Sequence, residues 1–216
     1  VSYNVIISAC EKGGQWQKAL QLFQSMATPD ACSYSAAISS CEESRHWQKA
    51  LDLFGAMMQL ARIQPDLVSY ICLLDAVHDK ASGAFYFEQA LTANVFPNLR
   101  KVTPSVIDLH GLSEGAGQLA VRWWLATLVT PQLGRRAHKC TVITGYGKSR
   151  KEWRTTNVQA AVFRLLQDLQ LKVRVLENAG RLQLVLDEGD GARLATSHGK
   201  ESCEEERAHR GKGTIG

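Results

Sequence analysis

The sequence predicts an α-helical repeat solenoid followed by a small α/β sandwich. Three patterns support this: a helical motif that recurs in the first half, a later alternation of β-branched runs with amphipathic stretches, and a charged tail with few large apolar residues. We expect helical repeats over residues 1–96, a linker over 97–104, the α/β domain over 105–187 and a disordered tail over 188–216.

The repeat is visible as direct self-similarity. The segment SYNVIISACEKGGQWQKALQLFQSM at residues 2–26 aligns without a gap with SYSAAISSCEESRHWQKALDLFGAM at residues 33–57, so that Trp16 falls on Trp47. A weaker third copy begins at Ser69. Because one helical hairpin cannot bury its apolar face alone, the copies are expected to stack into a solenoid of about two and a half units.

Each copy divides into two short helices. In the first copy, Ile6, Ile7 and Cys10 mark one apolar face. After Gly13-Gly14 a second face follows three- and four-residue steps, and its residues are Trp16, Ala19, Leu20, Phe23 and Met26. The pairs Pro29-Asp30 and Pro65-Asp66 then close the repeats, because proline cannot continue a helix and favours a turn.

The charge, the apolar run lengths and the cysteine spacing of the chain limit the classes of function that it can have. The 216 residues carry a net charge of +4, and no apolar stretch approaches the roughly 20 residues of a membrane span, so no membrane partner is expected. No targeting peptide is visible, and Val1 already lies in a patterned segment, which suggests a fragment. The six cysteines contain no CxxC pair. Cys10 and Cys41 occupy equivalent positions, so we expect core thiols in a reducing compartment.

The repeats resemble the pentatricopeptide repeat (PPR) family. The resemblance rests on VSYN at residues 1–4, the central ALQLF and ALDLF, and the two Pro-Asp ends. Such repeats bind single-stranded RNA, one base per repeat. The resemblance implies that base-reading side chains are paired as Asn4 with Asp30 and Ser35 with Asp66.

The chemistry of the two aspartates fits this role. A carboxylate only accepts hydrogen bonds, so it suits the ring N–H of uracil or guanine. Asn4 with Asp30 resembles the family's uracil pair and Ser35 with Asp66 its guanine pair, which predicts a 5′-UG-3′ preference. Ile71 stands at the same place in the third copy and cannot hydrogen-bond a base, so that copy is expected mainly to bridge by packing. The alternative is that these polar residues are ordinary helix caps and turn residues.

The pattern changes after Pro104. The β-branched runs VIDLHG, CTVITGYG, VRVLE and LQLVLD alternate with two amphipathic stretches. This predicts the order β-α-β-α-β-β, with the last two strands paired across Asn178-Ala179-Gly180. The expected inward residues are Ala120, Trp123, Trp124 and Leu128 in the first helix, and Val158, Ala161, Val162, Leu165, Leu166 and Leu169 in the second.

Two loops leave the carboxyl ends of neighbouring predicted strands, where α/β sheets commonly bind ligands. One carries Asp108 and His110, and the other is TGYG at residues 144–147. These resemble the LDxH and TGxG motifs of the small MutS-related (Smr) domain, some members of which are nicking enzymes or endonucleases. The resemblance makes Asp108 and His110 candidate catalytic residues and Asp108 a candidate ligand for Mg²⁺ or another divalent cation; no other cofactor is predicted.

The second loop is rich in glycine and basic residues. Its phosphate-binding candidates are Thr144, Gly145, Tyr146, Gly147, Lys148 and Arg150. A nucleoside-triphosphate loop is excluded because its first glycine would fall on Val142. Glycine lets backbone N–H groups approach an anion, while Lys and Arg neutralise phosphates. We therefore expect this loop to hold the nucleic-acid backbone while the repeats read bases.

Two classes of function remain open. One is a sequence-selective single-stranded RNA-binding protein for organellar RNA processing or expression, placed in a chloroplast or mitochondrion by the resemblance, with an Smr domain that grips phosphates and could act as a metal-assisted RNA endonuclease. The other is a non-catalytic RNA- or protein-binding adaptor. DNA nicking is a further alternative, although the attached repeats favour RNA.

Overall fold

Consecutive helical hairpins form the first part of the chain. The computed structural model describes residues 3–133, 138–144, 158–176, 180–187, 189–191 and 193–194. The helices of the first part are α1 (Tyr3–Lys12), α2 (Trp16–Gln24), α3 (Ala31–Glu43), α4 (Trp47–Gln59), α5 (Leu67–Val77) and α6 (Ser82–Thr92). Helix α3 packs against both α1 and α5, so the hairpins stack in chain order as a solenoid.

Aspartates start the first helices of the second and third hairpins. Asp30 is the N-cap of α3: its side chain accepts the Ser33 N–H at 2.8 Å, and the Asp30 N–H donates to Ser33 Oγ at 3.2 Å, which completes a capping box. Asp66 caps α5 in the same way by accepting the Ser69 N–H at 2.8 Å. The Pro-Asp pairs therefore end one hairpin and begin the next.

Two equivalent tryptophans each receive a cation from the following hairpin, Trp16 from helix α4 and Trp47 from the turn between α5 and α6. Lys49 Nζ lies 4.2 Å from the ring centroid of Trp16, and Lys80 Nζ lies 5.9 Å from that of Trp47. Trp16 and Trp47 are equivalent in the repeat. The contact is therefore part of the stacking geometry of the hairpins.

The apolar faces predicted for the first copy are mostly confirmed. Ile7, Ala19 and Phe23 are buried together, in a cluster completed by Tyr34, Ala36, Ala37 and Met57. Ile6 was predicted wrongly, because its side chain is 38% exposed. Adjacent residues point about 100° apart on a helix, so α1 can turn only Ile7 fully inward. Cys41 is fully buried as expected, whereas Cys10 is half-buried.

The second part of the chain is built on a four-stranded sheet. Its strands are β1 (Val106–Asp108), β2 (His138–Ile143), β3 (Val173–Val175) and β4 (Arg181–Leu186), with α7 (Glu114–Trp124) after β1 and α8 (Val158–Asp168) after β2. The strand order is β1-β2-β4-β3. Strands β1 and β2 are parallel, and the other pairs are antiparallel. The predicted element order and the final hairpin are confirmed.

The two helices of this part cover one face of the sheet. The buried strand residues alternate along the chain and are Ile107, Cys140, Val142, Leu182, Leu184 and Leu186. The helical stripes predicted to meet them are buried at Ala120, Trp124, Val158, Ala161, Val162, Leu165 and Leu166, while Trp123, Leu128 and Leu169 are partly buried. The other face of the sheet carries no described helix.

Helix α7 also packs against α5 and α6, so the hairpins and the sheet unit share an interface. Asp75 on α5 accepts hydrogen bonds from Ser113 Oγ at 2.6 Å and from the Gly115 N–H at 2.8 Å. A Cβ atom on Gly115 would lie 2.7 Å from Asp75 Oδ1 and 2.8 Å from Asp75 Cα. Glycine at 115 is therefore what allows α7 to approach α5 this closely.

The segment predicted as a linker, residues 97–104, is held against both units. It begins with a 3-10 helix at Pro97–Lys101, and the Leu99 side chain within it is buried in the common core. The indole N–H of Trp124 donates to the Thr103 carbonyl at 2.8 Å. This core extends from Ile38 in the second hairpin to Leu194.

The folded region also continues beyond residue 187, where the tail was expected to begin. Residues 189–191 and 193–194 are helical, and Leu194 is buried. The Asp190 N–H donates to Asp187 Oδ1 at 3.2 Å, which connects this helical segment to the residue that follows β4. Residues 195–216 lie outside the described part. Among the described helices, none is long and apolar enough to cross a membrane.

Candidate nucleic-acid interface

The first predicted reading pair is brought together across two hairpins. Asn4 lies in α1, and its Nδ2 donates to Asp30 Oδ1 at 3.4 Å. Ser33 sits between them, with its Oγ 2.9 Å from Asn4 Oδ1 and 2.7 Å from Asp30 Oδ1. Asp30 is exposed and Asn4 half-buried. The structure therefore forms a three-residue cluster, here called cluster I (Asn4, Ser33, Asp30).

The second pair forms a matching cluster, here called cluster II (Ser35, Ser69, Asp66). Ser69 Oγ donates to Asp66 Oδ1 at 2.8 Å and shares a 2.9 Å hydrogen bond with Ser35 Oγ. Ser35 is only 5% exposed and also bonds the Ala31 carbonyl, whereas Asp66 is exposed. The exposed polar group of cluster II is therefore the aspartate.

The capping interpretation is correct for the two aspartates and wrong for their partners. Asp30 and Asp66 are N-caps, but Asn4 and Ser35 lie inside α1 and α3. Each capping aspartate also keeps a carboxylate oxygen that a ligand can contact. The hydrogen bonds described for both carboxylates end on Oδ1, so Oδ2 can still accept a bond from a ligand.

Hydrogen bonding sets the charge of cluster I. The side-chain hydrogen bond from Ser33, followed by the Ser33 backbone N–H, lowers the pKa of Asp30 below its ordinary value of 3.8. Bonds to the ionised form favour that form. Asp30 is therefore a carboxylate, and an acceptor only, at neutral pH.

The bridging serines were missed as site residues in the sequence. Ser33 and Ser69 each precede the tyrosine of a repeat, so the repeated Ser-Tyr pair was the available signal. Helical periodicity does not predict a polar role for either serine, because one hydrogen-bond partner of each serine lies in the preceding hairpin. Only the stacking of hairpins shows that each serine joins two repeats.

The third hairpin contacts the sheet unit. Ile71 is half-buried and packs against the common core. Past the end of this hairpin, Asn98 Nδ2 donates to the His110 carbonyl at 3.1 Å. This contact holds the end of the third hairpin beside the loop that follows β1.

Asp108 and His110 form a compact pair at the carboxyl end of β1. Asp108 Oδ1 lies 2.5 Å from His110 Nδ1 and accepts the His110 N–H at 2.9 Å. The side chains are 42% and 53% exposed, respectively. Because Nδ1 is held by the carboxylate, the imidazole presents Nε2 as its free nitrogen. The residues thus tie the strand end locally and leave one polar ring atom for a ligand.

Thr144 follows the neighbouring strand at the same edge. Its N–H donates to the Gly180 carbonyl at 2.8 Å and its Oγ1 at 3.2 Å, while Asp108 is in register with Ile143. The remaining phosphate-binding candidates, Gly145, Tyr146, Gly147, Lys148 and Arg150, lie outside the described residues. The structure places the start of this loop next to the Asp108–His110 pair.

Asp108 supplies a carboxylate to this edge of the sheet. No group of three or more His, Cys, Asp or Glu side chains suited to a metal ion occurs in the part of the chain that the structure describes. A divalent cation at Asp108 would need most of its oxygen ligands from water or RNA phosphates, as Mg²⁺ commonly does.

Comparison with known proteins supports the interpretation of the hairpins. The PPR repeat family model matches residues 1–28 and 32–60. No curated protein gives a significant match to the chain. The first two hairpins are therefore similar to PPR repeats, which bind RNA in general. The matched segments include Asn4, Ser33 and Ser35, which belong to the two clusters.

Proposed function

We propose that the chain is a sequence-selective single-stranded RNA-binding protein of organellar RNA processing or expression. Cluster I and cluster II each contact one base, and the sheet unit binds the RNA backbone. The observation that carries this proposal is the recurrence of one hydrogen-bonded arrangement, an exposed aspartate bridged by serine to a residue of the preceding hairpin. The PPR match to both hairpins supports it.

The clusters explain how an aspartate could read a base. In each cluster the serine fixes Oδ1, so the free Oδ2 can accept the ring N–H of uracil or guanine without first reorganising. Asn4 adds an amide that can complete a uracil contact. Ser35 is nearly buried, so Asp66 contributes most of the second contact. This arrangement favours 5′-UG-3′ over 5′-AC-3′, because adenine and cytosine lack a ring N–H on that edge.

Fluorescence anisotropy with matched oligonucleotides tests the proposal. We expect a single-stranded RNA with a central UG to bind about tenfold more tightly than the same RNA with AC, by analogy with the roughly 1–3 kcal/mol carried by a specific base contact. Asp30→Ala should remove the preference at the U position and leave that at the G position. Equal binding of the UG and AC oligonucleotides by the unaltered chain would refute base reading.

RNA cleavage is a second candidate function, favoured by the Asp108–His110 geometry. A carboxylate that holds Nδ1 of a histidine fixes the orientation of the ring and leaves Nε2 for a ligand. His110 Nε2 could then move a proton to or from an RNA hydroxyl, with Asp108 acting through the histidine. A divalent cation would supply electrostatic stabilisation of the phosphate.

Cleavage is tested by incubating end-labelled RNA with the chain in Mg²⁺ and in EDTA. We expect His110→Ala to abolish product formation and Asp108→Asn to reduce it about 100-fold or more, since general acid–base catalysis contributes roughly 10²–10⁴-fold. Both variants should keep the UG preference. Loss of RNA binding in either variant would instead assign these residues to backbone binding, and full cleavage by His110→Ala would remove the proposed role.

A further inference from the structure

We propose that the open face of the sheet binds the backbone of single-stranded RNA and guides it toward the Asp108–His110 edge. This inference rests on the proposed RNA binding and adds a second contact surface to it. The surface, here called the open face, carries Lys139, Arg174 and Arg181.

Strand register places the side chains of the open face in rows. Val106 pairs with Thr141, Thr141 with Gln183, and Gln183 with Arg174. Residues paired directly across neighbouring strands project from the same side of a sheet. These side chains therefore form one row across all four strands, and the intervening positions face α7 and α8.

A second row ends at the candidate catalytic pair. Asp108 pairs with Ile143, which in turn pairs with Arg181. Arg181 thus lies two strands from Asp108, or about 10 Å at the usual strand spacing. Lys139, paired with Val185, extends the face in the opposite direction along β2.

The burial pattern shows that this face is open to a ligand. Lys139, Arg174 and Arg181 are exposed, and Val106 and Val185 are 38% and 39% exposed. The paired residues on the opposite side, such as Val142 and Leu182, are fully buried. An exposed sheet face that includes valines is therefore available for contact.

The positive charge of the open face indicates that its ligand is a phosphate backbone. No ion pair is formed by Lys139, Arg174 or Arg181 with another described residue, and the acid in the described rows, Asp108, is bound to His110. Unpaired cations on a flat surface neutralise phosphates without reading sequence. The Thr141 hydroxyl and the Gln183 amide can add hydrogen bonds to phosphate or ribose oxygens. No aromatic side chain lies in these rows, so we expect contact with the backbone rather than base stacking.

The test compares two double variants of the full chain by anisotropy across a series of salt concentrations. Arg174→Gln/Arg181→Gln removes two cations from the open face. Lys18→Gln/Arg164→Gln removes two exposed cations from α2 and α8 and is the matched control. Circular dichroism melts confirm that each variant is folded.

We expect the open-face variant to bind RNA about tenfold more weakly and its salt slope to fall by about 1.4, since each phosphate contact on a single strand contributes about 0.7. The control should retain the wild-type slope. An unchanged affinity and slope in the open-face variant would overturn the inference, as would an equal loss in both variants.

The sequence preference separates this inference from the proposed function. The open-face variant should weaken binding to the UG and AC oligonucleotides by the same factor, leaving their ratio unchanged. If the unaltered chain shows no UG preference but the open-face variant still loses affinity and salt slope, base reading fails while the open face stands. If the UG preference is present and the variant changes neither quantity, only the open face fails.

Discussion

The hairpins and the sheet unit present polar groups in contrasting ways. In clusters I and II, hydrogen bonds join polar side chains of two successive hairpins, and the exposed end is a carboxylate. On the open face, cations stand in rows without ion pairs among the described residues. Fixed hydrogen-bonding groups suit the discrimination of bases, whereas unpaired cations suit the uniform phosphate backbone.

The hairpins and the sheet unit are also joined by non-covalent contacts, in addition to the covalent chain. The contacts of Asp75 with Ser113 and Gly115, and one apolar core from Ile38 to Leu194, connect them. We therefore expect the second and third hairpins to unfold together with the sheet unit. The first hairpin has its main contacts in a separate cluster.

The largest expected effect is the protection of buried thiols in the two regions. Cys41 in the second hairpin and Cys140 in β2 are fully buried, and burial raises the pKa of each thiol to about 11. Relative to the ordinary value of 9.0, this lowers the thiolate fraction about 100-fold. Alkylation in the native protein should therefore modify exposed Cys32 and spare both buried thiols.

Urea turns this labelling into a test of the shared core. Mass spectrometry with peptide fragmentation should show Cys41 and Cys140 becoming reactive over the same range of urea concentration, because one core contains both. Labelling of Cys41 at clearly lower urea would mean that the hairpins open independently of the sheet unit.

The next effect concerns the interface between the regions. Gly115→Ala should lower the free energy of unfolding by about 3 kcal/mol, because the new methyl group overlaps Asp75 and separates α7 from α5. Urea denaturation measures this change.

Gly55→Ala in α4 is the matched control. A Cβ there meets nothing within 4 Å, so alanine should raise stability by about 0.5–1 kcal/mol through its better helix propensity. Similar small changes in both variants would show that the regions do not depend on the close contact at residue 115.

The smallest expected effect lies within cluster I. Ser33→Ala removes the side-chain hydrogen bond that is the main cause of the lowered pKa of Asp30, so that pKa should rise toward 3.8 in a carboxyl NMR titration. In the unaltered chain, the stability from ionised Asp30 is fully present above 3.8 and is lost as pH falls through the lower folded pKa. The variant should therefore lose less stability on acidification, and an unchanged Asp30 pKa would contradict the bridging role of Ser33.

Much of the fold follows from local patterns. Direct repetition located the hairpins, and alternating β-branched runs gave the strand order along the chain. The errors occurred where burial depends on neighbours: Ile6 is exposed although it is apolar, and Leu194 is buried although it lies in a charged segment. Periodicity identifies an apolar face but does not state which of two adjacent apolar residues finds a partner.

The parts of the candidate site that could be predicted from the sequence are those whose residues lie close together in the chain. Asp108 and His110 are two positions apart, and their pairing needs only the turn after β1. Asn4, Ser33 and Asp30 come from two hairpins, so their contact depends on the stacking of α3 against α1. Arg174 and Arg181 share a face with Asp108 only through the register of β3 on β4 and of β4 on β2.

The sequence by itself determined the types of element, their order and the residues able to accept or neutralise charge, because these depend on side-chain chemistry and local periodicity. The tertiary structure decided which groups meet. It joined each aspartate through a serine to the preceding hairpin, set Asp75 against Gly115, and aligned the cations on one face of the sheet. These are contacts between residues distant in the chain, and they are fixed only when helices stack and strands adopt one register.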